Sequence, residues 1–159
     1  MAFDNPGRPA PTAAWIWKSA VAGLCGTLAH YTLMYFKVRT GLMPSFQPYQ
    51  ALQASLGELV GREVHPSVPW LLSFVNGMAV LGFAFGRLYR HIPGGNGLIK
   101  GLVFGVAGWL LMNLVFLPVL GFGPFGSATD LGIQPALFTF AMLQTYSLVM
   151  GQVYAMLNR

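Results

Sequence analysis

Four stretches of this chain are long and apolar enough to be membrane-spanning helices, and nothing else in the sequence limits its fold as much. They cover residues 17–36, 68–89, 98–120 and 135–157. A helix needs roughly 20 such residues to cross a bilayer. None of the four holds an Asp or Glu, and Lys18, Arg87 and Lys100 lie only at their ends. Hydrophobic residues make up 55% of the chain and charged ones only 8%, where a soluble domain is roughly a quarter charged. So few charges do not cover a water-facing surface, which excludes a soluble enzyme or binding module. Aromatic residues at 14% exclude a disordered chain. A single Cys excludes a disulfide framework and any CxxC metal site. Nine basic residues spread over 159 positions form no nucleic-acid patch. The expected fold is an all-α membrane protein, a four-transmembrane-helix bundle. It forms one domain over residues 15–159, after a flexible cytoplasmic tail at residues 1–14 that carries Pro6, Pro9 and Pro11.

Orientation follows from Lys and Arg, which collect on the cytoplasmic side. Arg8, Lys18, Arg87, Arg90, Lys100 and Arg159 fall on one side, and Lys37, Arg39 and Arg62 on the other. Both termini are therefore expected inside, in a bacterial inner membrane. Residues 121–134 lack Lys and Arg, as an outer loop should. Trp15, Trp17, Tyr89 and Tyr154 suit the inner interface and Trp70 the outer one. No A-x-A site follows Lys18, and Leu24 stands where a lipoprotein box needs a small residue before Cys25. The first stretch is thus read as a span rather than a leader.

The two halves resemble each other. Pro69, Leu71, Ser73 and Phe74 open the second span as Pro135, Leu137, Thr139 and Phe140 open the fourth. Both spans end in a GxxY tetrad, Gly86 to Tyr89 and Gly151 to Tyr154. The first and third spans share a Leu-Met pair and leave through GxxP, at Gly41 to Pro44 and Gly121 to Pro124. The spacings predict two tandem two-helix repeats related about the membrane normal. Small residues let helix backbones approach where lipid offers no hydrophobic drive. Gly97, Gly101 and Gly105 form such a stripe on the third span, Gly82 and Gly86 on the second, and Gly151 on the fourth. Each stripe faces either the bundle or another subunit, the third span's above all. Between the first two spans, Leu52, Leu56, Leu59 and Val60 recur at helical spacing, which predicts a short outer amphipathic helix over residues 48–60.

Polar residues inside the spans are the candidate site. His30, Asn76, Asn113 and Gln144 fall in one layer, about 10 Å below the outer surface at the rise of a helix. Thr139, Thr145 and Ser73 lie near it. Such groups turn inward and find partners. Two uses fit: interhelical hydrogen bonds worth about 0.6–2 kcal/mol each, or the lining of a small polar pocket. His30 with Met34 one turn later has the chemistry of a haem or copper ligand pair. His65 and His91 sit in opposite loops and supply no second ligand across the membrane. The expected cofactor is none, with haem as the exception that His30 allows. Missing intramembrane carboxylates argue against an ion-coupled pump, and no nucleophile triad or phosphate loop is present.

Three functions follow from this reading. The first is a non-catalytic accessory or assembly subunit of a larger inner-membrane complex, partnered by the bilayer and by other membrane subunits or a second copy. The second is a small homodimeric transporter or channel that uses the polar layer. The third is a haem- or quinone-linked electron-transfer protein that uses His30.

Overall fold

The computed structural model describes residues 12–159, with side-chain surroundings from residue 14 onward. Five helices and short turns make up the described residues, with no strand among them. They are α1 (Thr12–Thr40), α2 (Pro48–Val60), α3 (Ser67–Leu88), α4 (Gly97–Val119) and α5 (Gln134–Leu157). Of the tail expected at residues 1–14, residues 12–14 open α1 and residues 1–11 lie outside the described residues.

Local chemistry sets the helix ends. Pro48 occupies the first turn of α2, where its missing N–H costs nothing. Gly61 ends α2 in the left-handed region, at φ 69°, and Gly41 ends α1 in the same way at φ 64°. Asn96 caps α4, its Oδ1 accepting the Ile99 N–H at 2.9 Å. Helices α3, α4 and α5 are each long and apolar enough to cross a membrane. Their outward residues, such as Leu72, Val80, Leu102, Leu114 and Leu137, are exposed apolar side chains. That is the surface lipid requires. Helix α1 is longer, at 29 residues, but Ser19, Thr27, His30 and Thr32 make it more polar.

The long helices run alternately up and down. Helix α1 lies between α3 and α5, and α5 lies between α1 and α4. Lys18 Nζ donates to Asn158 Oδ1 at 3.1 Å, so the start of α1 lies beside the chain end. At the opposite end of that pair, Lys37 of α1 stands 6.0 Å from the Phe138 ring centre of α5. Helices α3 and α4 meet near the termini, where Phe85 and Phe104 pair edge to face at 5.2 Å. Lys100 Nζ also donates to Tyr89 O there, at 2.6 Å.

Glycines decide which faces touch. A Cβ on Gly23 would meet the carbonyl oxygens of Met78 and Gly77. A Cβ on Gly97 would meet Gly151 O, and one on Gly151 would meet Gly97 O. Gly101 lies on the Ser147 backbone, Gly105 on the Gln144 amide and Gly86 on Ser19. The stripe on the third span thus packs against α5 of the same chain and not against another subunit.

Two helices widen to π turns, at Asn76–Leu81 in α3 and Met112–Phe116 in α4. In α4 the Asn113 Nδ2 donates to Trp109 O at 2.9 Å, a carbonyl that the Met112 N–H also reaches. Two apolar cores result. Ala22, Phe85, Tyr146, Met150 and Tyr154 fill the end near the termini. Met43, Phe46 and Leu117 fill the end near α2, where the Phe46 and Phe122 rings pair at 5.0 Å.

Candidate functional site

The expected polar layer does not form as one site. Asn113 and Thr139 meet between α4 and α5, with Asn113 Nδ2 donating to Thr139 Oγ1 at 3.1 Å. Thr139 Oγ1 in turn donates to Ala136 O at 3.0 Å. Trp109 Nε1 donates to the same carbonyl at 2.9 Å. Both Asn113 and Thr139 are fully buried, so this cluster is sealed. Gln144 is buried further along the same α4–α5 contact, its amide pressed on Gly105 and both amide atoms without a partner. Thr145 is half-buried beside it.

Asn76 departs from the expectation altogether, being exposed on the perimeter of α3. Sequence spacing sets depth along a helix but not azimuth. The inward position is taken by Gly77, whose missing side chain lets α3 press against Thr27 of α1. Gly77 O also accepts the Tyr146 hydroxyl at 2.6 Å.

His30 turns to the end that carries α2. Its Nε2 lies 3.3 Å from the Tyr49 hydroxyl, which lies 2.9 Å from Ser73 Oγ. The Tyr49 ring stacks on Trp70 with centres 4.1 Å apart. Tyr31 braces Trp70 from below, donating its hydroxyl to Trp70 O at 2.6 Å. Burial pushes the Tyr49 phenol up to about 12, with the Ser73 hydrogen bond pulling slightly the other way. Tyr49 is therefore a neutral hydrogen-bonding group at any physiological pH. Ligation of a metal by His30 Nε2 would have to displace it. Met34 is buried one turn further along α1.

Beside this cluster, α2 stands off from α1 over an open cavity of about 1600 Å³. Met34, Lys37 and Val38 form one wall, Gln50, Gln53 and Glu58 the other. Arg62, Glu63 and His65 line its rim and Trp70 closes one end. The Gln53 amide donates to Val64 O at 2.7 Å and holds the rim to α2.

Lys37, by sequence only a charge that marks the outer side, is just 1% exposed. Its ammonium donates to Phe46 O at 2.8 Å and to Met43 O at 3.4 Å. It thereby fixes the turn that carries the chain from α1 to α2, in which Met43 takes a left-handed φ of 51°. Tyr49 was missed as well. The available signal was an aromatic hydroxyl in the first turn of an amphipathic helix, directly after Pro48.

What these arrangements define is an all-helical membrane protein whose open cavity lies at one end of its spans. The chain belongs to DUF6789, a family of unknown function that matches residues 13–159. No curated protein matches it, and no solved structure does.

Proposed function

We propose that the chain is a four-span, non-catalytic accessory or assembly subunit of a larger bacterial inner-membrane complex, with both termini in the cytoplasm and α2 as its contact element on the outer face. Support for α1 as the fourth span is its position. It lies along α5 from Lys18 at one end to Lys37 at the other, so a bilayer that contains α5 contains α1. Support for a tandem repeat is that each half is a hairpin closed by small residues, Gly23 on Gly82 in the first and Gly101 on Ser147 in the second.

The observation that carries the functional reading is the place of the cavity. It lies under α2, at the ends of the first two spans where Met34 and Trp70 line it, and not deep among the four helices. A transport site needs polar groups that converge between spans. Here Asn113 and Thr139 are sealed, Asn76 points away and His30 is committed to α2. What remains open is α2 itself, with Leu59 84% exposed and Val60 54% exposed. Glu58, Arg62 and Glu63 stand beside them. An extramembrane segment of a larger subunit, apolar toward Leu59 and carrying charges of both signs, fits that edge.

The test is extraction of the tagged protein from native membranes in mild detergent, followed by native electrophoresis and mass spectrometry. A large band with defined partners is expected, and Leu59→Glu should shift the protein to a small band while its helix content stays constant. A wild-type band of only one or two copies would sink the subunit reading.

A further inference from the structure

The exposed Asn76 poses a problem that the chain does not solve by itself. It is the tenth residue of α3, which runs from Ser67 to Leu88. At about 1.5 Å per residue it sits roughly 14 Å from the start of the helix, close to the middle of a hydrocarbon core about 30 Å thick. Its amide has two donors and two acceptor sites. Its neighbours on the same face are Leu72, Val75 and Val80, all exposed and all aliphatic. Among the described residues it makes no side-chain hydrogen bond. In lipid, polar groups at that depth are costly and turn to a partner.

The other face of α3 is already occupied. Gly77, Gly82, Phe85 and Gly86 are buried there against α1 and α5. Rotating the helix to bring Asn76 inward would put its side chain where Gly77 now touches Thr27. The bundle contact therefore holds Asn76 outward.

We propose that the α3 face of Leu72, Val75, Asn76 and Val80 is the contact between two copies of this chain, in which each Asn76 amide pairs with Asn76 of the second copy. The argument for a second copy is complementarity. An amide is donor and acceptor at once, so two of them can satisfy each other in both directions. A two-fold axis along the membrane normal brings the same residue of both copies to the same depth. The surrounding Leu and Val side chains carry no charge that would oppose self-contact. Thr32, a further exposed polar residue of the long helices, already donates to Leu28 O at 3.0 Å and needs no partner. This contact is independent of α2 and holds whether or not the subunit reading does.

The experiment uses the full chain in lipid bilayers, with copies counted by stepwise photobleaching over a range of protein densities. Wild type is expected as a dimer. Asn76→Leu should weaken association about tenfold, which corresponds to about 1.4 kcal/mol and to the upper range measured for intramembrane hydrogen bonds. A second measurement does not depend on that variant. In a Cys25→Ala background, Asn76→Cys should form a disulfide-linked dimer on mild oxidation, and Leu110→Cys, exposed on α4, should not. A monomeric wild type at every density would overturn the proposal. So would an Asn76→Cys protein that cross-links in native membranes only to a different polypeptide.

Discussion

Tyr146 and Tyr154 reach from α5 to carbonyls of α3 two turns apart, and the two hydrogen bonds are unequal. Tyr146 donates to Gly77 O at 2.6 Å, inside a π turn, whereas Tyr154 donates to Gly86 O at 3.4 Å. Tyr146→Phe should therefore lower stability by about 1 kcal/mol, the usual size of an intramembrane hydrogen bond. Tyr154→Phe should change it by less than half of that. Thermal unfolding in detergent checks the order, and equal effects would contradict the geometry. Tyr49 carries a prediction about pH. Its folded-state pKa of about 12 lies above the ordinary phenol value of about 10. A raised pKa means that the folded state holds the proton more tightly, so this contribution is complete below pH about 10 and is lost as pH rises toward 12. The docking of α2 should loosen in that window, seen as a change in Trp70 fluorescence. Tyr49→Phe should lack this transition, and an unchanged titration in the variant would remove Tyr49 as its source. Neither Tyr146 nor Tyr154 was legible as a site from sequence, since each hydroxyl's partner is a backbone carbonyl on a distant helix, and Tyr49 was not because His30 and Ser73 reach it only once α2 has docked.

At the scale of helices, glycine spacing fixes the contacts, and two glycines of α4 separate the packed face from the free one. A Cβ on Gly101 would meet the Ser147 carbonyl, which is backbone and has no rotamer to give. Gly108 has no heavy atom within 4 Å of the same position. Gly101→Val should part α4 from α5 at a cost of about 1–3 kcal/mol, the range for overpacking, while Gly108→Ala should be neutral or slightly stabilising. Unfolding of the two variants side by side decides it, and equal losses would mean that the α4–α5 contact is misplaced. The helix expected over residues 48–60 is present with those bounds, because Pro48 and Gly61 punctuate it locally. Its apolar face is another matter. Leu52 and Leu56 are half-buried, whereas Leu59 is open to its surroundings. The last turn of α2 overhangs the cavity, which periodicity does not report.

For the molecule as a whole, the prediction is topological. The start of α1 lies beside the chain end, so residues near 18 and 158 should be labelled from one side of the membrane. The exposed turn at Ser45 should be labelled from the other. In a Cys25→Ala background, Asn158→Cys and Ser45→Cys should react with an impermeant maleimide from opposite sides, and labelling from the same side would remove α1 as a span. Amino-acid sequence by itself determined that the chain is helical and apolar, where α3, α4 and α5 begin and end, and which small residues were available for close contact. These are local properties, set by side-chain hydropathy, by caps such as Asn96 and by Pro and Gly at the turns. Tertiary structure alone decided azimuth and partners. It turned Asn76 outward because Gly77 was needed inward, and it joined Asn113 to Thr139 while sending His30 to Tyr49. It also buried Lys37 under the turn that follows α1. The reason is that rotation of a helix about its axis is nearly free until another backbone presses against it, and that contact exists only once the chain has packed.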